Sequence, residues 1–245
     1  MEDIMKSQVE HYLPFDEILL PEPYRAIEIP SWEAIINPVV QGVITFYNHQ
    51  HQTKETELTD EMVKALDNPE LKTVHQVKQY AMTAFQEREK ERKFQFDIFP
   101  YLLVFFANTT QTVINSDEEE AYFIAMTDNY KEDAEKAGIS YDEFLQNSFG
   151  LTSKQEEELR ERIHEYFVYK LIAIDRFGEE HGELDIDSYD AYIQEQVLLQ
   201  GVDEIDLRER LPFNVFQDIY PEIVLTEELK KYFKDQIIFK IVSEA

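Results

Sequence analysis

From Asn108 to the C-terminus the chain is punctuated as a series of helices, and this punctuation restricts the fold more than any other feature. Ser116 and Glu119 form an S-x-x-E capping box, in which each side chain satisfies the other's free backbone donor. The helix it opens runs to about Lys136 and stops at Gly138, a suitable residue for a left-handed C-terminal cap. Ser140–Asn147 reads as a short helix ending near Gly150, and Thr152 with Gln155 makes a second box. Behind it Leu159, Ile163, Phe167, Leu171 and Ile174 keep helical spacing as far as Gly178. About 26 residues at 1.5 Å each predict a rod of roughly 39 Å, more a strut than a compact core element. Asp187 opens a further helix through Tyr192, Ile193, Val197 and Leu198 to Gly201. Pro212 and Pro221 bound a broken stretch, and Thr226 is expected to cap a terminal helix with Leu229, Phe233, Ile237 and Ile241 inward.

The first 55 residues differ. Pro14, Pro21, Pro23, Pro30 and Pro38 oppose any long helix. Tyr24–Ile29 alternates like a strand, and Val43–His51 is β-branched and aromatic, so a small N-terminal β element is expected, with a short helix near Glu2–Tyr12. From Leu58 the texture turns helical. Thr59 caps a short helix through Met62, Val63 and Leu66, and Thr73 opens a longer one with Val74, Val77, Ala81 and Phe85 on one face. Pro100 is expected to kink or break it. No fixed-period repeat is visible.

Composition excludes several function classes. Of 245 residues 43% are hydrophobic, enough for a sizeable core, while 6 Gly and 30% charged residues favour helices. The chain has no Cys, so disulfides, thiolate catalysis and cysteine metal sites are absent. The first 20 residues are acidic and lack the apolar run of a secretory signal, and no stretch of 18 apolar residues occurs, so a cytoplasmic protein is expected. The net charge of −28, from 51 acids against 23 bases, opposes nucleic-acid binding and repels anionic membrane surfaces.

No residue set points to catalysis, so the chain is read as a non-enzyme without cofactor or metal. His49 and His51 would share one side of a strand but lack a third ligand. Asp185, Asp187 and Asp190 fail the calcium-loop pattern at Tyr189, and Glu179, Glu180 and His181 are not spaced to place two ligands on one helix face. Paired carboxylates are everywhere in so acidic a chain and mark no general acid or base. The aromatic residues Phe94, Phe96, Phe99, Tyr101, Phe105 and Phe106 are denser than a polar helix needs. They read first as core packing and secondly as a lining for apolar polypeptide segments. Burying ~300 Å² of such a segment at ~25 cal/mol/Å² gives a gross ~7.5 kcal/mol, which association costs reduce to weak, reversible binding.

The passages ELTDEMVKAL, VHQVKQYAMTAFQEREKER and LTEELKKYFKDQIIFKIV, with those between them, are similar in wording and order to trigger factor, a chaperone family that holds nascent chains. ELTDEMVKAL and VHQVKQYAMTAFQEREKER resemble the family's exit from its isomerase domain and the long charged helix that follows. NTTQTVINSDEEEAYFIAMTDNYKEDAEKAGISYDEFLQNSFGLTSKQEEELRE resembles its capped helix, small turn and acidic-aromatic helix. YFVYKLIAIDRFGEEHGELDIDSYDAYI and LTEELKKYFKDQIIFKIV resemble the next helix pair and the closing helix. Together these cover about residues 57–243. The resemblance implies a mainly α, elongated, multi-helix domain with arms over residues 57–245, preceded by a β-containing linker over 1–56. It implies binding of unfolded or nascent polypeptides in an apolar cleft, for which Phe94, Phe96, Phe99, Tyr101, Phe105, Tyr122, Phe123, Tyr166 and Phe167 are the candidate lining. A homodimer is compatible with this reading. None of the six glycines precedes Phe-Arg, so the family's ribosome-docking motif is missing. YRAIEIPSWEAII and VQGVITFYNHQHQTKETELTDE resemble the approach to and exit from the prolyl isomerase domain, with too few residues between them to hold it. Ribosome binding and isomerase activity are therefore not expected. An adaptor for one folded partner and a residual isomerase are the alternatives.

Overall fold

Side-chain caps and left-handed glycines set most helix boundaries. The computed structural model describes residues 6–242. It begins with strand β1 (Gln8–His11), a 3-10 turn, helix α1 (Glu22–Arg25), strand β2 (Ala26–Ile29) and helices α2 (Trp32–His51), α3 (Asp60–Lys64) and α4 (Val74–Lys93). A π-helical turn (Phe94–Ile98), α5 (Phe99–Thr109) and β3 (Gln111–Val113) follow. Then come α6 (Ser116–Ala137), α7 (Tyr141–Phe149), α8 (Glu156–His181), α9 (Ile186–Gln200), α10 (Glu204–Arg210), α11 (Phe213–Lys234) and β4 (Ile238–Ile241). The protein is mainly helical with two small sheets, β1 against β3 and β2 against β4. Among the described residues, no helix is long and apolar enough to cross a membrane.

Two compact units make up the described chain. The first comprises residues 6–18 and 100–231, the second residues 19–99 and 232–242. The second unit runs through residue 56, where the sequence reading divides the chain.

In the first unit, β1 pairs antiparallel with β3. The Glu118 carboxylate accepts the Lys6 and Ser7 N–H groups at 2.6 and 2.7 Å, and Ser7 Oγ accepts the Asn115 N–H. The N-terminal strand is thus tied to the start of α6. Asn115, not Ser116, caps that helix by accepting the Glu118 N–H, so the expected box lies one residue too late. Leu145, Leu159 and Ile163 are buried where α6, α7 and α8 meet, with Met126, Tyr130 and Phe144 against them. Tyr189, Ile193 and Phe216 form a second buried cluster with Phe213 and Tyr220. The longest helix, α8, has the 26 residues expected, shifted to Glu156–His181, and closes on Gly182 rather than Gly178. Asp185 caps α9 where Asp187 was expected.

Proline does not break α11. Pro221 lies inside it and Thr226 is internal, its hydroxyl donating to the Glu222 carbonyl at 2.7 Å and bonded to the Tyr169 hydroxyl at 2.7 Å. The stretch between Pro212 and Pro221 is therefore helical, because Phe216 and Tyr220 find buried partners across α9. Nor does Pro100 end a helix. The chain stays helical on both sides of it, and the irregularity falls one turn earlier, at the π turn.

In the second unit, α2 replaces the strand expected over Val43–His51. Ser31 caps it, and its more sheltered positions (Ile36, Val40, Ile44 and Tyr47) recur at three and four residues. The helix packs on α4, and Trp32 meets Phe85 and Phe239 at 6.4 and 5.4 Å between ring centres. Thr59 and Thr73 cap α3 and α4 as expected, Thr73 within a complete box with Gln76. The strand expected over Tyr24–Ile29 is shortened to Ala26–Ile29, because Glu22–Arg25 forms a helical turn. Of the helix expected near Glu2–Tyr12, residues 1–5 lie outside the described chain and Gln8–His11 is a strand. The terminal helix stops at Lys234. Ile238–Ile241 leaves it to pair in parallel with β2, so Ile241 belongs to a strand rather than to a helical stripe.

Candidate functional site

An open groove of about 680 Å³ lies in the first unit between α6, α8 and the end of α5. Tyr122, Phe123, Ile163 and Phe167 supply its apolar lining. The helical repeat puts these residues there: Glu119, Tyr122 and Phe123 recur at three and four along α6, as do Arg160, Ile163, His164 and Phe167 along α8. Phe167 is buried and meets Tyr122 at a tilt, 5.2 Å between centres, whereas Tyr122 and Phe123 are half-buried and reachable.

A polar rim surrounds this lining. Arg160 reaches Glu120 through both terminal nitrogens, at 2.7 and 3.3 Å, and its guanidinium lies 3.8 Å from the Phe123 ring centre. The Arg160 hydrogen bond holds the Glu120 carboxyl below the usual carboxylate range. His164 Nδ1 lies 2.6 Å from Glu119 Oε1. Burial pushes the Tyr122 phenol up, so it stays neutral across ordinary pH. The groove therefore offers ring faces for apolar contact, flanked by the Arg160–Glu120 ion pair, the His164–Glu119 hydrogen bond and the further carboxylates Glu161 and Glu165. Such a surface can hold an uncharged or apolar segment against the rings while the rim stays in water.

The structure gathers three of the nine sequence candidates into this groove: Tyr122, Phe123 and Phe167. Tyr166 is half-buried on α8 but does not line it. The aromatic run is shared between the two units, with Phe94, Phe96 and Phe99 in the second and Tyr101, Phe105 and Phe106 in the first. Phe94 is buried against Phe99, and Phe106 is buried against Tyr169. Tyr101 and Phe105 are half-buried and in contact with each other. Phe96 alone of the run is largely exposed, at 71%. Sequence reasoning missed the rim of Glu119, Glu120, Arg160 and His164. An aromatic residue three positions from an acid on one helix, facing a base three positions from an apolar residue on the next, was the available signal.

His49 and His51 stand on α2, where two residues apart means nearly opposite sides, so they form no pair. Glu180 and His181 do approach one another, together with Glu228 of α11, their ligand atoms within 4.8 Å. Arg176 holds both carboxylates, with 2.8 Å contacts to Glu180 and to Glu228. The cluster is an ion-pair network already containing its cation.

The fold and groove define a mainly helical protein with an accessible aromatic groove. Compared with protein-family models, curated proteins and solved structures, the chain matches none.

Proposed function

We propose that the protein binds non-native polypeptides without chemistry, as a cytoplasmic chaperone of the trigger factor kind. The aromatic lining of Tyr122, Phe123 and Phe167 beneath a polar rim carries this reading. An apolar client segment can cover the rings while the rim charges stay solvated. The test is aggregation of a chemically denatured client with the protein at stoichiometric excess. Wild-type protein is expected to suppress light scattering and Phe123→Ala to do so several-fold less well. No effect of the wild-type protein overturns the reading.

A second reading, an adaptor for one folded partner, is favoured by the exposed side chains Leu198, Leu199 and Ile205 where α9 passes into α10, the first of them 84% exposed. A pull-down separates the two. One dominant stoichiometric band supports the adaptor, and many weak bands support the chaperone.

A further inference from the structure

A separate groove in the second unit has the chemistry of a strand-addition site. Its volume is about 500 Å³. One wall is β2, represented by Ala26, Ile27 and Glu28. The other is one face of α4 continued into the π turn, with Glu89, Arg92, Lys93, Phe96 and Asp97 at helical spacing.

The strand has one edge taken and one edge open. Its parallel partner is β4, with Ile29 opposite Ile241, and the Ile29 carbonyl accepts the Val242 N–H at 3.0 Å. In a parallel ladder both main-chain groups of one residue face the partner and those of the next face away. The main-chain groups of Ile27 and Ile29 therefore face β4, and those of Ala26 and Glu28, two residues that line the groove, point to the opposite edge. The Ala26 N–H is already given to the Glu22 carbonyl at the end of α1. The open edge thus consists of the Ala26 carbonyl and the N–H and carbonyl of Glu28. Among the described residues, none of these three groups has a hydrogen-bond partner. A strand edge beside a helix recognises main chain rather than a particular side chain.

The helical wall decides what the guest carries. Arg92 is paired with Glu89 at 2.9 Å and Lys93 with Asp97 at 2.9 Å, so both bases are neutralised by acids of the same wall. In a chain of net charge −28 this is a locally balanced strip, which offers no cation to an acidic peptide. Phe96, turned outward by the π turn, presents a ring with most of its surface free. π turns inside helices are frequent at functional sites.

We propose that this groove takes an uncharged, extended peptide segment as a third strand on the outer edge of β2, with one apolar side chain against Phe96. Glu28 exchanges a pair of hydrogen bonds with one guest residue, and Ala26 accepts a bond from the guest residue two further along. The site is independent of the α6–α8 groove and does not rest on its reading.

The probe is a fluorescein-labelled, end-capped peptide of alternating threonine and valine with a central phenylalanine, followed by anisotropy against the full chain. Glu28→Pro deletes the outward N–H on a side that β4 does not use, so the native pairing is retained. It is expected to weaken binding at least tenfold, while Glu28→Gln, which keeps the N–H, binds within twofold of wild type. The comparison is made in a Phe123→Ala background, because the α6–α8 groove is itself proposed to take apolar segments and would otherwise add to the signal. In the wild-type protein, amide hydrogen exchange at Glu28 is expected to slow when peptide is added, a readout that does not require the proline variant to fold. Unaltered binding by a folded Glu28→Pro in that background, or unchanged exchange at Glu28 under saturating peptide, overturns the proposal.

Discussion

Replacing Glu222 by Gln is expected to remove a loss of stability that the wild-type protein suffers as pH rises through neutrality. Glu222 stands on α11, one turn after Asp218, and faces Lys170 of α8 and the Tyr122 phenol of α6. The Tyr169 hydroxyl lies at its backbone carbonyl. Lys170 is itself buried and paired with Asp218 at 2.6 Å, so Glu222 does not have this cation to itself. Burial, with a smaller contribution from Asp218 and against the pull of Lys170, pushes the Glu222 carboxyl up to about 7 from 4.5. Over the interval between these values the folded chain keeps a proton that the unfolded chain has released. Stability from this group is thus complete below the unfolded value and lost as pH climbs past the folded one. The full gap corresponds to roughly 3 kcal/mol, of which about 2.5 kcal/mol falls between about pH 5 and pH 8. Urea titrations of wild type and Glu222→Gln across that window, followed by circular dichroism, measure the difference directly. The wild-type unfolding free energy should fall by about 2.5 kcal/mol more than that of the variant, since the two chains differ at this one group. Parallel pH slopes would show that the carboxyl is solvated in the folded state, and the account of its burial would be wrong.

Two further outcomes follow from packing and capping. Leu145→Ala, at the fully buried meeting of α6, α7 and α8, should cost about 2–5 kcal/mol in denaturant unfolding, whereas Leu198→Ala, exposed at the end of α9, should stay within about 0.5 kcal/mol. Asp185→Ala should lower the thermal midpoint several times more than Asp187→Ala, because Asp185 accepts the Ser188 N–H at 2.8 Å as the cap of α9 and Asp187 lies beyond it in the first turn.

Helix starts and stops were legible where a single residue type does the work. Thr59 and Thr73 cap the helices expected of them, and Gly138, Gly150 and Gly201 adopt the left-handed conformation that closes a helix. Reading failed where two neighbours could do the same job. Asn115 was available next to Ser116, and Asp185 two residues before Asp187. It also failed where β-branched content stood in for structure. Val43–His51 looks like a strand by residue type, yet the burial repeat over Ile36, Val40, Ile44 and Tyr47 is helical, because α4 provides a surface for one helical stripe. In the site, aromatic density pointed at the α4–α5 run, while the reachable rings of the first unit's groove are Tyr122 and Phe123. A dense aromatic run is the cheapest core filler, and Phe94 and Phe106 are spent that way.

The amino-acid order alone determined the mainly helical character, the length of α8 and the absence of cysteine chemistry, since these depend on local capping, spacing and composition. Tertiary structure alone decided that Ile238–Ile241 is a strand, that Pro221 sits within a helix, and that Arg160 and His164 meet Glu120 and Glu119. Each of those outcomes joins residues dozens of positions apart or more, or needs a packing partner to outweigh a local preference, and neither distance in space nor a partner's surface is written in local sequence.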